Sequence, residues 1–208
     1  MNKKDYSSIV AHYENCLHKY GDSHLGVDWP NPEDANTRYR IMLEVIKNNS
    51  QVCTLLDFGC GTSHLYEYVI KNNITGIQYQ GLDISEKFIN CSQQKFPNIT
   101  YYCLDILEHH EKLPEFDYII MNGVFTEKRD VSFEIMFNYF QNIIKILFPK
   151  AKIGIAFNVM SKQVDWERED LFHLPLDTLA NFLTKEISRN FIIRNDYKLY
   201  EYTSYVYH

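Results

Sequence analysis

Three aspartates occur at equivalent places in the chain, each close to the end of a short apolar run. They are Asp57, Asp83 and Asp105, and the first is followed by Gly59 and Gly61. Glycines after a strand allow a tight turn and let a ligand lie against the backbone, while the next helix offers unpaired N–H groups at its start. A carboxylate at the end of a neighbouring strand can accept hydrogen bonds from both hydroxyls of a ribose. These residues predict a nucleotide-like ligand at one edge of a sheet.

The residues around the two glycines narrow the type of ligand. The stretch 59–64 reads GCGTSH, so the third glycine of the GxGxxG dinucleotide fingerprint is missing. Asp57 lies two residues before the first glycine, where its charge repels a pyrophosphate but favours a cation such as an α-ammonium or a sulfonium group. The pattern therefore favours a ligand that carries a positive charge.

Alternating strands and helices must position these side chains. Short apolar runs predict strands at residues 53–59, 77–85, 99–107, 116–125 and 151–160. Helical periodicity predicts helices at residues 63–72, 85–96, 133–148 and 175–187. Two last strands, 191–197 and 199–208, are too close in sequence for a parallel crossover and must pair antiparallel. The predicted fold class is α/β: a doubly wound, mostly parallel, seven-stranded sheet with an antiparallel C-terminal hairpin.

Two helices precede the first strand. Apolar residues on one helical face predict an amphipathic helix over residues 4–20, followed by a loop at 21–32. Asn31 is placed as the N-cap of a second helix with Pro32 at its first position, and this helix is predicted to run to about Lys47.

Composition and charge restrict the partners. The net charge of −6 argues against a non-specific nucleic-acid binder, which needs a basic surface. No apolar run reaches the length of a membrane span, and the N-terminal residues lack the core of a signal peptide. The five cysteines are scattered without a CxxC pair, so neither a disulfide framework nor a metal site is predicted. A cytoplasmic location with reduced thiols follows as the expectation.

The motif series LLDFGCGTS, GLDIS, LDI and FDYIIMNGVF resembles that of the class I S-adenosylmethionine-dependent methyltransferases. The resemblance covers residues 53–160, and the antiparallel C-terminal pair is also similar to the end of that family's seven-stranded sheet. It implies S-adenosylmethionine as the cofactor. It also implies that residues 1–50 form a helical lid over the cofactor and that residues 51–208 form the methyltransferase core.

The resemblance places the methionine part of the cofactor at the glycine-rich loop, formed by Asp57, Gly59, Cys60 and Gly61. Many members of the family have a third glycine where this chain has Ser63. We expect this departure to matter little, because the two tighter positions are kept.

The resemblance assigns the other cofactor contacts to the ends of the later strands. Asp83 would bind the ribose hydroxyls, with Ile84 against the adenine. Asp105 would face the adenine amino group, with Ile106 beside the ring. Near the reacting methyl, the expected contacts are Asn122 and Gly123.

Transfer of a methyl group from a sulfonium mainly requires that the acceptor be positioned and water excluded, and an oxygen acceptor also needs a base. In the N-terminal region, His24 is a candidate base, and Trp29 and Arg38 are candidate acceptor contacts. The alternatives are a packing role for the tryptophan and a surface ion pair for the arginine.

The segment at residues 157–175, between the fifth strand and its helix, is the second candidate region because loops after strands carry function in this architecture. Asp165 and His173 are its candidate catalytic groups, and Trp166 and Arg168 its candidate acceptor contacts. The alternatives are a solvated loop and, for the histidine, a packing or capping role.

The N-terminal motifs YENC, KYGD and GVDWPN and the ending YEYTSYVYH are similar to small bacterial methyltransferases encoded among cell-surface polysaccharide genes. That resemblance implies O-methylation of a soluble small molecule such as a sugar or a glycan precursor. The sequence MNGVF, where base-modifying enzymes have DPPY or NPPY, disfavours methylation of nucleic-acid amino groups. Two alternatives stay open: a non-catalytic protein that binds S-adenosylmethionine, and an NAD-type oxidoreductase.

The expected partner is a small-molecule acceptor, with no nucleic acid and no membrane. The chain is expected to be a monomer or a homodimer, since the edge formed by the C-terminal strands could pair with a second copy.

Overall fold

A computed structural model describes residues 3–47 and 51–208, with backbone only for residues 3–5. A single sheet runs through the molecule. Its strands are β1 (Cys53–Phe58), β2 (Ile77–Asp83), β3 (Tyr101–Cys103), β4 (Phe116–Phe125), β5 (Ala151–Ser161), β7 (Phe191–Arg194) and β8 (Glu201–Tyr207). They lie in the order β3-β2-β1-β4-β5-β8-β7. An eighth strand of two residues, β6 (His173–Leu174), pairs with β5 outside this path.

The strand directions agree with the sequence prediction. β3, β2, β1, β4 and β5 pair in parallel, whereas β8 runs antiparallel to both β5 and β7. The strand order reverses between β1 and β4, which is the point where parallel α/β sheets form a crevice for ligands. The predicted α/β fold with a reversed C-terminal hairpin is confirmed.

Helices cover both faces of the sheet. They are α1 (Lys3–Tyr20), α2 (Pro32–Leu43), α3 (His64–Lys71), α4 (Glu86–Lys95), α5 (Ile106–His109), α6 (Phe133–Leu147) and α7 (Leu176–Phe182). Successive strand residues point to opposite faces, so Leu55 and Leu56 belong to two different apolar clusters. The same alternation occurs at Ile119 and Ile120 in β4. The core is therefore two apolar layers separated by one sheet.

Several element boundaries differ from the sequence prediction. The second helix ends at Leu43 rather than near Lys47, although Asn31 caps it as expected by accepting a hydrogen bond from the N–H of Glu33. The third strand was predicted over 99–107 but covers only Tyr101–Cys103. Asp105 ends it because its Oδ1 accepts the N–H of Leu107 and caps the short helix α5.

The C-terminal half shows smaller differences. The helix predicted over 175–187 is α-helical to Phe182 and continues as a π-helix through Leu183–Ile187. The last two strands are shorter than predicted. Within the described residues, no helix combines the length and the apolar character needed to cross a membrane.

Candidate functional site

A cavity lies beyond the carboxyl ends of β1, β2 and β4 and beneath helix α1. All ten residues that the sequence assigned to the cofactor line it: Asp57, Gly59, Cys60, Gly61, Asp83, Ile84, Asp105, Ile106, Asn122 and Gly123. They come from four separate strand ends between residues 57 and 123 of the sequence. The parallel sheet brings these strand ends to one edge and thereby assembles the cavity.

Asp83 has a fixed orientation at the end of β2. Its Oδ2 accepts the N–H of Gly61 at 3.0 Å, and its Oδ1 accepts the N–H of Ser85 at 2.9 Å. Burial raises the pKa of this carboxyl to about 6, while the backbone hydrogen bonds oppose that shift. A carboxylate held in this way keeps its remaining lone pairs for hydroxyl donors on a ligand.

Asp57 is buried beneath the glycine-rich loop. Its Oδ2 accepts a hydrogen bond of 2.8 Å from the hydroxyl of Tyr79. Burial raises the pKa of Asp57 to about 7; the hydrogen bond from Tyr79 opposes the shift and the nearby charge of Asp83 adds to it. The interior near this loop therefore holds negative charge that a cationic ligand would stabilise.

The glycine-rich loop requires a left-handed backbone at three positions. Gly59 and Gly61 have φ angles of +74° and +53°, and a Cβ on Gly59 would lie 2.7 Å from Cγ2 of Val124. Ser63 also has a positive φ of +63°, although it carries a side chain. Position 63, where many proteins of the resembled family have glycine, thus keeps a backbone conformation that favours glycine.

Two hydrogen bonds hold Ser63 in this conformation. Its buried hydroxyl contacts Ser92 Oγ at 2.9 Å and the hydroxyl of Tyr101 at 2.9 Å. Ser92 in turn donates to the carbonyl oxygen of Gly61. The expectation that the missing glycine matters little is compatible with this geometry, because side-chain bonds offset the strain.

The end of β4 forms the opposite wall of the cavity. Gly123 has a φ of +78°, and a Cβ there would lie 2.8 Å from Cζ2 of Trp29. Its N–H donates to Asn158 Oδ1 at 2.8 Å, and Asn158 Nδ2 donates to Glu201 at 3.0 Å. Arg38 completes this hydrogen-bond network, since its Nε donates to Glu201 at 2.8 Å. Its guanidinium also lies 4.1 Å from the centre of the Trp29 ring.

Asn122 provides an unsatisfied acceptor in this wall. Its Oδ1 is buried and has no hydrogen-bond partner. An orphaned carbonyl oxygen is costly unless a donor reaches it. An ammonium group has such donors, so the cavity carries both the negative charge and the free acceptor that a cationic ligand needs.

Helix α1 and the turn that follows it cover the cavity. The apolar face of α1 contributes lining residues, namely Tyr6, Ile9, Val10 and Tyr13. The hydroxyl of Tyr6 donates to Asp105, and Glu14 accepts hydrogen bonds from Ser85 and Lys87. The periodicity of this helix was visible in the sequence, whereas a lid position for residues 1–50 was implied only by the family resemblance.

His64 and Tyr79 are site residues that the sequence analysis missed. His64 lines the cavity at the start of α3 and pairs with Asp22 at 2.9 Å. Tyr79 holds Asp57 from the neighbouring strand. The parallel register of β1 and β2 is the signal that could have found the tyrosine, because it sets Tyr79 opposite Leu55, two residues before Asp57.

Comparisons with known proteins agree with this geometry. A family model described as "Methyltransferase domain" matches residues 56–149. The magnesium protoporphyrin IX methyltransferase of Synechocystis PCC 6803, solved with bound S-adenosylmethionine, has a TM-score of 0.64 at 17% identity, with 98% of this chain and 97% of that chain covered. Residues 56–149 therefore match a methyltransferase domain, and the chain has the fold of S-adenosylmethionine-dependent methyltransferases.

Two further proteins that this chain resembles have names that point to different acceptors or to none. The N-methyltransferase NodS of Bradyrhizobium japonicum WM9, solved with S-adenosylhomocysteine, has a TM-score of 0.65 at 14% identity and covers 95% of this chain and 97% of that chain. The Mycobacterium tuberculosis protein Rv1506c, named provisionally as a methyltransferase, is 22% identical over 76% of this chain and 95% of its own length. The shared fold does not select an acceptor.

The residues predicted for catalysis, His24, Asp165 and His173, are not among those that line the cavity. Both ring nitrogens of the buried His173 are used locally: Nδ1 bonds the carbonyl oxygen of Ser161 at 2.6 Å, and Nε2 accepts the N–H of Arg168 at 3.3 Å. His24 Nδ1 bonds the carbonyl oxygen of Trp29. These two histidines stay predictions without support from the geometry.

The predicted acceptor contacts divide into two groups. Trp29 lines the cavity, whereas Arg38 is not among the lining residues and lies over the Trp29 ring. Trp166 is 70% exposed, Arg168 pairs with Asp170, and Asp165 accepts a hydrogen bond from Tyr200 on the surface. The structure thus brings Trp29 to the cavity, sets Arg38 against that tryptophan, and leaves the 165–168 group outside the cavity.

Proposed function

We propose that this protein uses S-adenosylmethionine to methylate a hydroxyl group of a soluble small molecule, such as a sugar or a glycan precursor. The observation that carries the proposal is the assembly of the ten motif residues around one cavity that α1 covers. A covered cavity favours an acceptor small enough to enter between the lid and the end of β4, and a net charge of −6 does not favour a polyanion.

Asp83 and Asp105 would hold the adenosine part of the cofactor. Asp83 is preorganised by two backbone N–H groups and can accept hydrogen bonds from ribose hydroxyls. Asp105 keeps free lone pairs besides those used by Leu107 and Tyr6, and these can accept from an adenine amino group. Ile84 and Ile106, which also line the cavity, would pack against the ring.

Asp57 and Asn122 would face the methionine part. S-adenosylmethionine supplies a methyl group on a positively charged sulfonium when it is bound. The buried charge of Asp57 and the free Oδ1 of Asn122 complement the cationic groups, while Gly59 and Gly61 let the backbone approach closely. Trp29 against Gly123 closes this end and excludes water from the reacting atoms.

Residues 1–50 would act as the lid and residues 51–208 as the methyltransferase core. In the described part of the first segment, α1 is held over the cavity by polar contacts of Tyr6 and Glu14, and the turn after it by ion pairs of Asp22. Opening of this segment is the expected route for exchange of the cofactor.

Isothermal titration tests the assignment of the cofactor residues. S-adenosylmethionine and S-adenosylhomocysteine should bind the wild type at micromolar levels, and NAD should not. Asp83→Ala should weaken both adenosyl ligands at least tenfold, or about 1.4 kcal/mol. Asp165→Ala, which changes an exposed aspartate outside the cavity, is the matched control and should bind within twofold. Equal affinity of wild type and Asp83→Ala would contradict the assignment.

An acceptor screen tests the proposed reaction. Release of S-adenosylhomocysteine would be measured with sugars and sugar nucleotides, and in parallel with amines and carboxylic acids. Turnover with hydroxyl compounds, confirmed by mass spectrometry of a methyl ether, is the expected result. Turnover restricted to amines or carboxylates would overturn O-methylation but leave the cofactor assignment intact.

A further inference from the structure

A cluster of four potential metal ligands lies outside the cofactor cavity, where the lid meets the end of β4. His12 Nε2, Cys16 Sγ and Asp28 Oδ2 come from α1 and the following turn, and the ligand atoms of these three residues all lie within 4.8 Å of one another. His12 Nε2 is 2.7 Å from Asp28 and 3.8 Å from Cys16. Glu127, just after β4, brings its Oε2 to 3.7 Å from the same histidine nitrogen.

Glu127 is the group that points to a missing partner. The residue is 8% exposed, and its Oε2 makes no hydrogen bond. A buried carboxylate oxygen is costly in this state unless a cation or a donor compensates it. Its carboxyl also faces that of Asp28, which adds a like charge.

Arg129 compensates this charge only in part. Its Nη1 lies 3.5 Å from Glu127 Oε2 and 3.6 Å from Asp170, so one guanidinium is shared between two carboxylates. Among the described residues, the ion pairs of Asp28 and Glu127 involve only this arginine and His12. Three potential anions, from Cys16, Asp28 and Glu127, thus surround one imidazole.

We propose that His12, Cys16, Asp28 and Glu127 bind a divalent transition metal ion of the zinc type. One nitrogen, one sulfur and two carboxylate oxygens form a donor set that Zn²⁺ accepts in tetrahedral geometry, whereas Mg²⁺ and Ca²⁺ prefer oxygen alone. Bonds of about 2.0–2.3 Å hold neighbouring ligand atoms roughly 3–4 Å apart, so the His12–Asp28 contact must lengthen slightly. The sequence signal was the spacing of His12 and Cys16, which places both on one face of α1.

The position of this site gives the metal a structural consequence. His12 and Cys16 belong to the helix that covers the cavity, Asp28 precedes the lining residue Trp29, and Glu127 follows the strand that forms the opposite wall. A metal bound by all four would join the lid to the core with coordinate bonds. We expect it to raise the melting temperature, since it binds the folded chain preferentially.

Metal titration of tag-free protein, after dialysis against a chelator, tests the site directly. Zn²⁺ should bind at one equivalent by calorimetry, and Co²⁺ should give visible ligand-field bands together with a near-ultraviolet thiolate charge-transfer band. Cys16→Ser should abolish the charge-transfer band, and His12→Ala and Glu127→Gln should each weaken Zn²⁺ binding at least tenfold. Failure of the wild type to bind Zn²⁺ at 1:1 stoichiometry would overturn the proposal.

Matched variants separate this site from adventitious binding. His18→Ala removes an exposed histidine from the same helix, and Cys103→Ser removes an exposed free thiol elsewhere. Both should bind Zn²⁺ as the wild type does, and loss of binding in either one instead of in Cys16→Ser would contradict the assignment. Binding of S-adenosylmethionine in the same samples is a separate readout, because His12 and Cys16 do not line the cofactor cavity. Normal cofactor binding without metal binding would reject the metal site alone.

Discussion

The glycine-rich loop at residues 58–64 and the segment at residues 162–170 are both polar, yet the fold uses them differently. The first is mostly buried, and its groups are bonded to β2, α4 and each other. The second is mostly exposed, and two of its ion pairs, Lys162 with Glu167 and Arg168 with Asp170, lie within the segment. Burial of polar groups costs free energy, so a buried polar side chain usually has a specific role. A high density of polar residues in the sequence is a weaker indication of such a role.

The segment at residues 162–170 contributes to the fold through its backbone. The N–H groups of Lys128 and Arg129 donate to the carbonyl oxygen of Asp170, and that of Phe172 donates to Thr126. The segment thereby supports the residues after β4, including Glu127. Its side chains, which suggested an acceptor site, take no part in these bonds.

The largest difference in the free energy of unfolding is expected between a variant that breaks a buried ion pair and one that breaks an exposed ion pair. Arg38 pairs with Glu201, which is 1% exposed, so Arg38→Met leaves a buried carboxylate without its counter-ion. We expect a loss of about 3–5 kcal/mol in the free energy of unfolding, measured by urea denaturation at pH 7.5. Arg168→Met is the control, because its pair with Asp170 is exposed and should contribute roughly 0–1 kcal/mol. Similar losses in the two variants would remove the distinction between the regions.

The second expected effect is a trade between stability and cofactor binding at Asp57. Burial raises the pKa of Asp57 from its ordinary value of 3.8 to about 7 in the folded chain. At a pH between these two values, the folded chain therefore holds a proton that the unfolded chain has released. Stability therefore falls as the pH rises from about 4 to 7 and is lowest above 7. Asp57→Asn keeps an acceptor for Tyr79 and should be more stable than wild type at pH 8 by roughly 2–4 kcal/mol.

Urea denaturation at pH 5.5 and pH 8 measures this contribution. The difference between wild type and Asp57→Asn should be smaller at pH 5.5, because the wild-type carboxyl is then protonated in the fold. The variant should nevertheless bind S-adenosylmethionine at least tenfold more weakly. A variant that is less stable than wild type at pH 8 would show that the buried carboxylate is better compensated than its surroundings indicate.

Substitution of Ser63 is expected to have a smaller effect on the free energy of unfolding, and the sign of this effect can be predicted. Alanine and glycine both remove the hydroxyl, but only alanine keeps the strain of a left-handed backbone at φ +63°. Ser63→Gly should therefore be more stable than Ser63→Ala by about 1 kcal/mol in urea denaturation. At the exposed Gln163, whose φ is not positive, the order should reverse, because glycine there only adds freedom to the unfolded chain. The same order at both positions would contradict the strain argument.

The smallest effects are expected in the exposed segment. Trp166→Ala and Asp165→Ala should each change the free energy of unfolding by no more than about 0.5 kcal/mol and leave cofactor affinity within twofold. Steady-state kinetics with the acceptor found in the screen gives the decisive measurement. A large rise in KM in either variant, with cofactor affinity unchanged, would restore the acceptor role that the sequence suggested for this segment.

Local patterns were sufficient for most of the fold. Apolar runs, helical periodicity and the Asn31–Pro32 cap depend on neighbours within a few residues, and the structure confirms the elements they predicted. The third strand was overestimated because a hydrogen bond from the N–H of Leu107 to Asp105 competes with strand extension. Such a cap and an apolar strand end look alike in sequence.

The sequence by itself determined where the motif residues would gather, because parallel strands bring their carboxyl ends to one edge and each motif lies at such an end. Only the tertiary structure decided the partners of those residues: Tyr79 for Asp57, Tyr6 for Asp105, and Glu201, 163 positions away, for Arg38. The same holds for Glu127, which meets His12 only after the lid has folded onto the core. Turn chemistry and periodicity act over a few residues, whereas burial and ion pairing depend on which distant surfaces the folded chain brings into contact.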